Sequence, residues 1–290
     1  MRFSFTFDAM SNASPTRNDS IVDVIDASSK RMFNFQELWQ FRELFYFFTW
    51  RDIKVKYKQT LLGFLWAVLQ PLLMMVIFSF FFGKALNVPS GDLPYPLYVI
   101  SGLIVWNLFS TGLTNACNSM VTNSSVIKKI YFPRLVIPVS ALLVSLFDFF
   151  VAFFIFIAVL IYYSQPVSWM AIIYWPFAMI AAVIGTLGPG AWMAALNVKY
   201  RDIRYVIPFV VQILFFLSPV IYPSSILKYP FLKYIMALNP SYAAIEFFRM
   251  PITNASPDRW LYISLASTVI LLFIGISYFR KTEDQFADFA

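Results

Sequence analysis

The sequence predicts an all-α integral membrane protein with six transmembrane helices. The chain of 290 residues is 60% hydrophobic and only 13% charged, whereas a soluble domain carries about 25% charged residues. Several uncharged stretches are long enough to cross a hydrocarbon layer about 30 Å thick, which takes roughly 20 helical residues. Lys and Arg residues cluster beside these stretches. Together these features indicate a multi-pass membrane protein.

The composition excludes several kinds of site. The chain has no histidine, and its one cysteine, Cys117, can form neither an internal disulfide nor a multi-cysteine metal site. No G-x-x-x-x-G-K-[ST] or G-x-S-x-G motif is present, so the chain has no P-loop for ATP, and an enzyme is disfavoured. The net charge is +7, and the basic residues lie beside apolar spans. This distribution favours contact with membrane lipids or a cytoplasmic partner over nucleic acid.

The N-terminal part precedes the membrane domain. Residues 1–33 are polar without a helical period and are expected to form a flexible cytoplasmic tail. Residues 34–49 predict an amphipathic, aromatic-rich helix that lies flat on the inner membrane face or packs against another protein surface. We assign residues 34–62 to amphipathic and basic interface helices, 63–279 to the transmembrane domain, and 280–290 to a cytoplasmic tail.

A basic segment leads directly into the first span, Gly63–Phe82. Basic residues flank spans on the cytoplasmic side, so this junction fixes the orientation. Arg51, Lys54 and their neighbour Asp52 either anchor the segment among lipid headgroups or form a gate or a partner contact.

The remaining spans follow from uncharged runs separated by basic or proline-rich loops. They are Tyr95–Phe109 with a polar continuation over Ser110–Ser125, residues 137–162, 170–196, Tyr205–Tyr222 and Trp260–Phe279. The polar continuation should face other helices or an aqueous path. The sequence GTLGPG at 185–190 favours a kink or a close helix contact. Two short apolar pieces between 223 and 258 are expected to be re-entrant or interfacial helices.

The distribution of basic residues supports six crossings. Seventeen of the 22 Lys and Arg residues fall in segments that this topology places in the cytoplasm, and five fall outside. Both termini are then cytoplasmic, and the protein is expected in the plasma membrane.

Asp148 is the one ionisable residue deep inside a predicted span. It should be paired or hydrated, with a structural role favoured over a functional one. Aromatic residues make up 20% of the chain, and their faces stack on sugar rings. Tyr57, Trp66, Trp106 and Trp192, with Asp148, are therefore candidates to line a substrate path.

Four segments carry a resemblance to a known family. They are WRDIKVKYKQTLLGFLWAVLQPLL from Trp50, KKIYFPR from Lys128, NVKYRDIR from Asn197 and LNPSYAAIEFFR from Leu238. The chain resembles, over about residues 35–285, the permease subunit of ABC exporters of O-antigen, capsular and teichoic-acid polymers, the ABC type 2 permease family.

The resemblance implies a homodimer that binds two copies of a separate ABC ATPase, which carries the ATP and Mg²⁺. This chain itself would hold no cofactor and no metal. A lipid-linked polysaccharide would pass between the two permease copies. Contacts with the ATPase, or a gate, would involve Arg51, Asp52, Lys54, Lys128, Lys129, Tyr131, Phe132, Pro133, Arg134, Arg201 and Asp202. An outer gate would involve Pro219, Pro223, Asn239, Pro240, Glu246 and Arg249.

Two other functions remain open on sequence alone. One is an ABC exporter of the same fold for a drug or a small lipid, which would have a narrower, less aromatic and less polar path. The other is an ion-coupled carrier or membrane enzyme, which would need several ionisable residues inside the membrane, whereas the sequence offers Asp148 alone.

Overall fold

A computed structural model describes residues 39–58, 64–130, 132–200, 202–227, 229–283 and 286. The expected tail over 1–33 lies outside these residues, as do Tyr131 and Arg201. Within the described ranges every regular element is a helix, which agrees with the all-α prediction.

Ten α-helices form the described part of the chain. They are α1 Arg42–Lys58, α2 Phe64–Phe78, α3 Tyr95–Thr122, α4 Ser124–Ile127, α5 Val136–Tyr162, α6 Ala171–Lys199, α7 Ile203–Phe216, α8 Pro230–Leu238, α9 Pro240–Thr253 and α10 Arg259–Thr282. A π-helical segment, Ser79–Ala85, extends α2, and a 3₁₀ turn, Ser224–Ile226, precedes α8.

Five helices are long and apolar enough to cross a membrane: α2 with its π-helical extension, α3, α5, α6 and α10. They coincide with the predicted first, second, third, fourth and sixth spans. The second differs in length, because α3 continues as helix through the polar stretch to Thr122.

The predicted fifth span, Tyr205–Tyr222, is not one continuous helix. Helix α7 ends at Phe216 after 14 residues, which is shorter than the roughly 20 residues a crossing needs. Ser218 and Pro219 follow, and Pro219 cannot donate the backbone hydrogen bond that would continue the helix. The structure therefore does not confirm a sixth membrane-spanning helix.

Helix α1 runs beside a long apolar helix, α5. The Thr49 hydroxyl donates to the carbonyl of Ser140 in α5 at 3.5 Å. Eight residues further along each helix, the Tyr57 hydroxyl donates to the Asp148 carboxylate. Eight residues advance a helix by about 12 Å, so α1 and the first half of α5 are parallel neighbours.

The ends of four long helices meet in one apolar cluster, which we call the basic end of the bundle. It contains Phe48 of α1, Met120 near the end of α3, Val136 at the start of α5, Val198 at the end of α6 and Phe279 near the end of α10. The loops that the sequence assigns to the cytoplasm after α3, after α6 and after α10 therefore leave the bundle at the same end.

Glycines bring α6 and α10 into backbone contact. A Cβ atom on Gly188 would lie 2.6 Å from the Cα atom of Leu272, and one on Gly275 would overlap the carbonyl of Gly188. Both added methyl groups would be closer to backbone atoms than van der Waals contact allows, so only glycine fits at this crossing. The close helix contact predicted for GTLGPG is confirmed.

Candidate functional sites

Exposed basic residues are found on α1 and just after α4. Lys54 of α1 and Lys128 and Lys129 after α4 are exposed, and we call these three residues the basic surface. Asp202, at the start of α7, is also exposed.

Arg51 ties α1 to the loop that bears Lys128 and Lys129. Its Nη2 donates to the side-chain oxygen of Asn123 at 2.7 Å, and its Nε donates to Asp52 at 2.8 Å. Asn123 in turn donates to the carbonyl of Ser119 at 2.9 Å at the end of α3. Arg51 and Asp52 therefore hold the loop in place more than they face solvent.

The central residues of the same loop point into the protein. Phe132 is 4% exposed and packs against Phe48 with ring centroids 5.9 Å apart. Pro133 is buried and Arg134 half-buried. Of the predicted contact residues in this loop that the structure describes, Lys128 and Lys129 are thus available to a partner, while Phe132 and Pro133 fix the loop from within.

Glu283 and Phe286, which follow α10 and were missed by the sequence analysis, also contact the basic end of the bundle. A Glu283 carboxylate oxygen accepts the backbone N–H of Arg134 at 2.8 Å, just before α5 begins, and the other oxygen accepts from Arg280 at 3.0 Å. Phe286 is buried against Phe279, with centroids 5.1 Å apart. An acidic tail was visible in the sequence, but no local pattern shows which loop it contacts.

A cavity of about 560 Å³ lies between α1, α2, α3 and α5. Its lining contains three of the five residues predicted for a substrate path, namely Tyr57, Trp66 and Asp148. The other two lie elsewhere: Trp106 is 5% exposed in the apolar core, and Trp192 is half-buried on α6. Trp106 packs between Phe109 and Phe215, with ring centroids 5.5 and 5.4 Å away.

Asp148 is paired in this cavity. Lys56 Nζ donates to one carboxylate oxygen and the Tyr57 hydroxyl to the other. Burial raises the pKa of Tyr57, and the hydrogen bond to Asp148 and its negative charge raise it further. The phenol therefore keeps its proton and remains a donor. The charge of Asp148 is balanced by Lys56, as expected for an acid inside a span.

Uncharged polar groups line the same cavity, among them Gln70 of α2 and Asn107 and Thr111 of α3. Thr111 belongs to the polar stretch that the sequence predicted to face other helices or an aqueous path, and the others were not singled out. Pro71 also lines it and has no N–H to donate to the carbonyl of Ala67 one turn earlier. A single polar residue in an apolar run does not reveal which other helices it will face, so the sequence offered no signal for this grouping.

Arg249 forms the second buried polar cluster. It is 2% exposed, and its five N–H groups donate to the Ser101 hydroxyl at 3.1 Å, the Tyr98 hydroxyl at 2.8 Å, and the carbonyls of Tyr98, Val220 and Pro219. Its guanidinium carbon lies 3.7 Å from the centroid of the Tyr98 ring. Pro219 and Val220 belong to the irregular stretch after α7, so Arg249 replaces the missing helical hydrogen bonds there.

The other residues predicted for an outer gate surround this cluster. Asn239 accepts from the backbone N–H of Ser241 at 3.1 Å and donates to the Ser218 hydroxyl at 2.8 Å. Pro240, next to it, begins α9 and is buried. Glu246 lies 4.0 Å from Arg249, and Pro223 is half-buried before the 3₁₀ turn. Asn239, Pro240 and Arg249 are buried, whereas Pro223 and Glu246 are half-buried.

Comparison with known proteins identifies the family. The sequence matches the family described as ABC-2 type transporter over residues 43–252. The chain belongs to this family. It is 31% identical over 242 residues to the O-antigen export system permease protein RfbA of Klebsiella pneumoniae, covering 82% of this chain and 91% of that protein.

Two further relatives extend this comparison. RfbA of Myxococcus xanthus is 29% identical over 262 residues, which cover 87% of this chain and 97% of that protein. The polysialic acid transport protein KpsM of Escherichia coli is 22% identical over 241 residues, which cover 81% of this chain and 91% of that protein. The resemblance found from the four sequence segments is confirmed, and the chain is a multi-pass ABC transporter permease.

Proposed function

We propose that this chain is the transmembrane subunit of an ATP-driven exporter of a lipid-linked polysaccharide. The substrate would move from the cytoplasmic side across the bacterial inner membrane, through a channel between two copies of the chain. The observation that carries this proposal is the similarity, over more than four fifths of the chain, to permeases named for O-antigen export.

Two copies of a separate ABC ATPase subunit would supply the energy. The chain has no P-loop, and its basic surface is suited to an acidic partner. The loop that bears Lys128 and Lys129 is held from inside by Asn123 and Phe132. A loop fixed in this way can transmit a displacement of the partner to α1, α3 and α5 together.

The sixth crossing is proposed to combine a short helix with irregular backbone. Helix α7 starts near the basic end, since it follows α6 directly. Phe215 then packs on Trp106, and the carbonyl of Ile221 accepts from Tyr95 at 2.8 Å at the opposite end of α3. Irregular backbone is tolerated at membrane depth where protein donors satisfy it, and Arg249 does so here. Both termini then face the cytoplasm, and α8 and α9 form the outer gate.

A drug or small-lipid exporter of the same family is the second candidate. The cavity argues against it, because Gln70, Asn107 and Thr111 place polar groups where an apolar substrate would need none. An ion-coupled carrier is less well supported still, since Lys56 already balances the charge of Asp148.

Reversing the charge of the basic surface tests the coupling to the ATPase. We expect Lys128→Glu/Lys129→Glu to weaken co-purification with the ATPase subunit at least tenfold, about 1.4 kcal/mol, because like charges would then oppose each other across the interface. The measurement is the fraction of ATPase retained on an affinity-tagged permease as the ATPase concentration is varied.

A matched double variant separates this effect from a general change in charge. Lys84 and Arg259 are exposed and lie outside the basic end, so Lys84→Glu/Arg259→Glu should retain the ATPase like the unsubstituted chain. Equal retention by both double variants would contradict the proposed interface.

A further inference from the structure

The cavity between α1, α2, α3 and α5 lies deep within the long helices. Asn107 is twelve residues from the start of α3, and Asp148 is twelve residues from the start of α5. Twelve residues correspond to about 18 Å of helix, which is more than half the thickness of a hydrocarbon layer of about 30 Å. Asn107 and Asp148 thus lie near the middle of their helices, whereas Gln70 is the seventh residue of α2.

Two amides in the cavity are unpaired. Both line the cavity, Gln70 being exposed and Asn107 half-buried. Within the part of the chain that the structure describes, neither side chain makes a hydrogen bond. Unpaired amides are costly in hydrocarbon, because nothing there replaces the hydrogen bonds they make in water. The cavity therefore suits water or a polar ligand better than an acyl chain.

The charges of the cavity select for an uncharged ligand. Lys56 and Asp148 neutralise each other, so neither an anionic headgroup nor a cation finds an unbalanced partner among the described lining residues. The cavity does offer hydrogen-bond donors and acceptors, namely the amides of Gln70 and Asn107, the Thr111 hydroxyl and the Asp148 carboxylate.

Aromatic side chains also line the cavity. Trp66 is 50% exposed and, like Tyr57, lines the cavity, together with apolar side chains such as Leu108 and Phe149. A sugar ring presents hydroxyl groups around its rim and C–H bonds on its faces, so it needs polar partners at its edge and an apolar or aromatic surface below. The volume of 560 Å³ falls in the range of about 300–1,000 Å³ typical of small-molecule sites.

We propose that this cavity binds a neutral sugar unit of the exported glycan within a single copy of the chain. Trp66 would stack on the sugar face, and Gln70, Asn107 and Asp148 would bind its hydroxyl groups. The inference rests on the proposed export function and adds to it a glycan-binding site inside each protomer, in addition to the path between protomers.

Cysteine accessibility in the reconstituted complex tests this site. The one native cysteine, Cys117, is buried, so the unsubstituted chain provides the background. Gln70→Cys, Asn107→Cys and the milder Thr111→Cys would be prepared with the ATPase subunit in proteoliposomes. Each would be treated with a negatively charged methanethiosulfonate reagent, with and without lipid-linked glycan extracted from the host.

The matched control is Ile270→Cys. Ile270 is 56% exposed and is the twelfth of the 24 residues of α10, so it has a similar depth but lies outside the cavity. We expect the cavity cysteines to react at least tenfold faster than Ile270→Cys, and the glycan to slow their reaction at least fivefold.

Each alternative result has a defined meaning. Rates as slow as that of Ile270→Cys for all the cavity variants would show a dry cavity and overturn the inference. Fast rates that the glycan leaves unchanged, in a complex whose ATP hydrolysis the glycan stimulates, would overturn the sugar site while leaving the export function intact. A complex whose ATP hydrolysis ignores the glycan would contradict both.

Discussion

Replacing Arg249 by alanine is expected to lower the apparent unfolding temperature of the purified protein by about 10 °C. All five N–H groups of this buried guanidinium are in hydrogen bonds. Alanine leaves the carbonyl of Val220 buried without its donor, whereas the carbonyl of Pro219 keeps the Tyr98 hydroxyl. A buried acceptor without a donor costs about 1–3 kcal/mol, and each lost hydrogen bond to a charged group costs about 1.5–3 kcal/mol. Each kcal/mol shifts the unfolding midpoint of a chain of this size by about 2–4 °C.

The conservative variant distinguishes geometry from charge. Arg249→Lys keeps the positive charge, but an ammonium group has three donors and no planar fork. It should therefore recover only part of the loss. Lys84→Ala, which removes an exposed basic side chain, serves as control and should leave the midpoint within about 1 °C, in line with the small effects of surface substitutions. An Arg249→Ala protein as stable as this control would show that the carbonyls of the irregular stretch find other donors.

Substituting the glycines at the crossing of α6 and α10 is expected to have the second large effect. In Gly275→Ala the new methyl group would overlap the carbonyl of Gly188, so the two helices must separate. Overpacking of this kind costs about 1–3 kcal/mol, and more where backbone is the obstacle. We expect an unfolding midpoint at least about 6 °C lower, together with a smaller yield of monodisperse protein on size-exclusion chromatography.

The same helix provides the control for this variant. Ala266 is exposed on α10, so Ala266→Leu adds a larger side chain to the helix without entering the crossing. It should elute and unfold like the unsubstituted protein. If Gly275→Ala did the same, α6 and α10 would not be in the close contact described above.

The sequence predicted the long helices well because their signal is local. An uncharged run of about 20 residues has few alternatives to a membrane-spanning helix, and α3, α5, α6 and α10 appear where the runs do. The polar continuation of the second span was also recognised from the sequence, and its residues complete α3. The early end of α7 was missed, because a hydropathy pattern does not show whether backbone near a proline remains helical.

The functional clusters depend on contacts between distant residues, and the sequence predicted them only in part. Asp148 was expected to be paired or hydrated, but the basic segment before the first span was interpreted as a lipid anchor, a gate or a partner contact, and nothing in it pointed to Lys56, 92 positions away. Arg249 was predicted for an outer gate, whereas its burial and its five acceptors follow from the packing of α9 against α3. Glu283 was overlooked because its bond to Arg134 spans 149 positions.

Glycan-dependent ATP hydrolysis by the reconstituted complex tests the central proposal most directly. The permease would be co-purified with its cognate ABC ATPase, placed in proteoliposomes, and supplied with ATP, Mg²⁺ and lipid-linked glycan extracted from the host. The proposal predicts a stable complex of two permeases and two ATPases whose hydrolysis rate rises with the concentration of glycan. A permease that purifies alone, recruits no ATPase and transports a small ion or solute would contradict it.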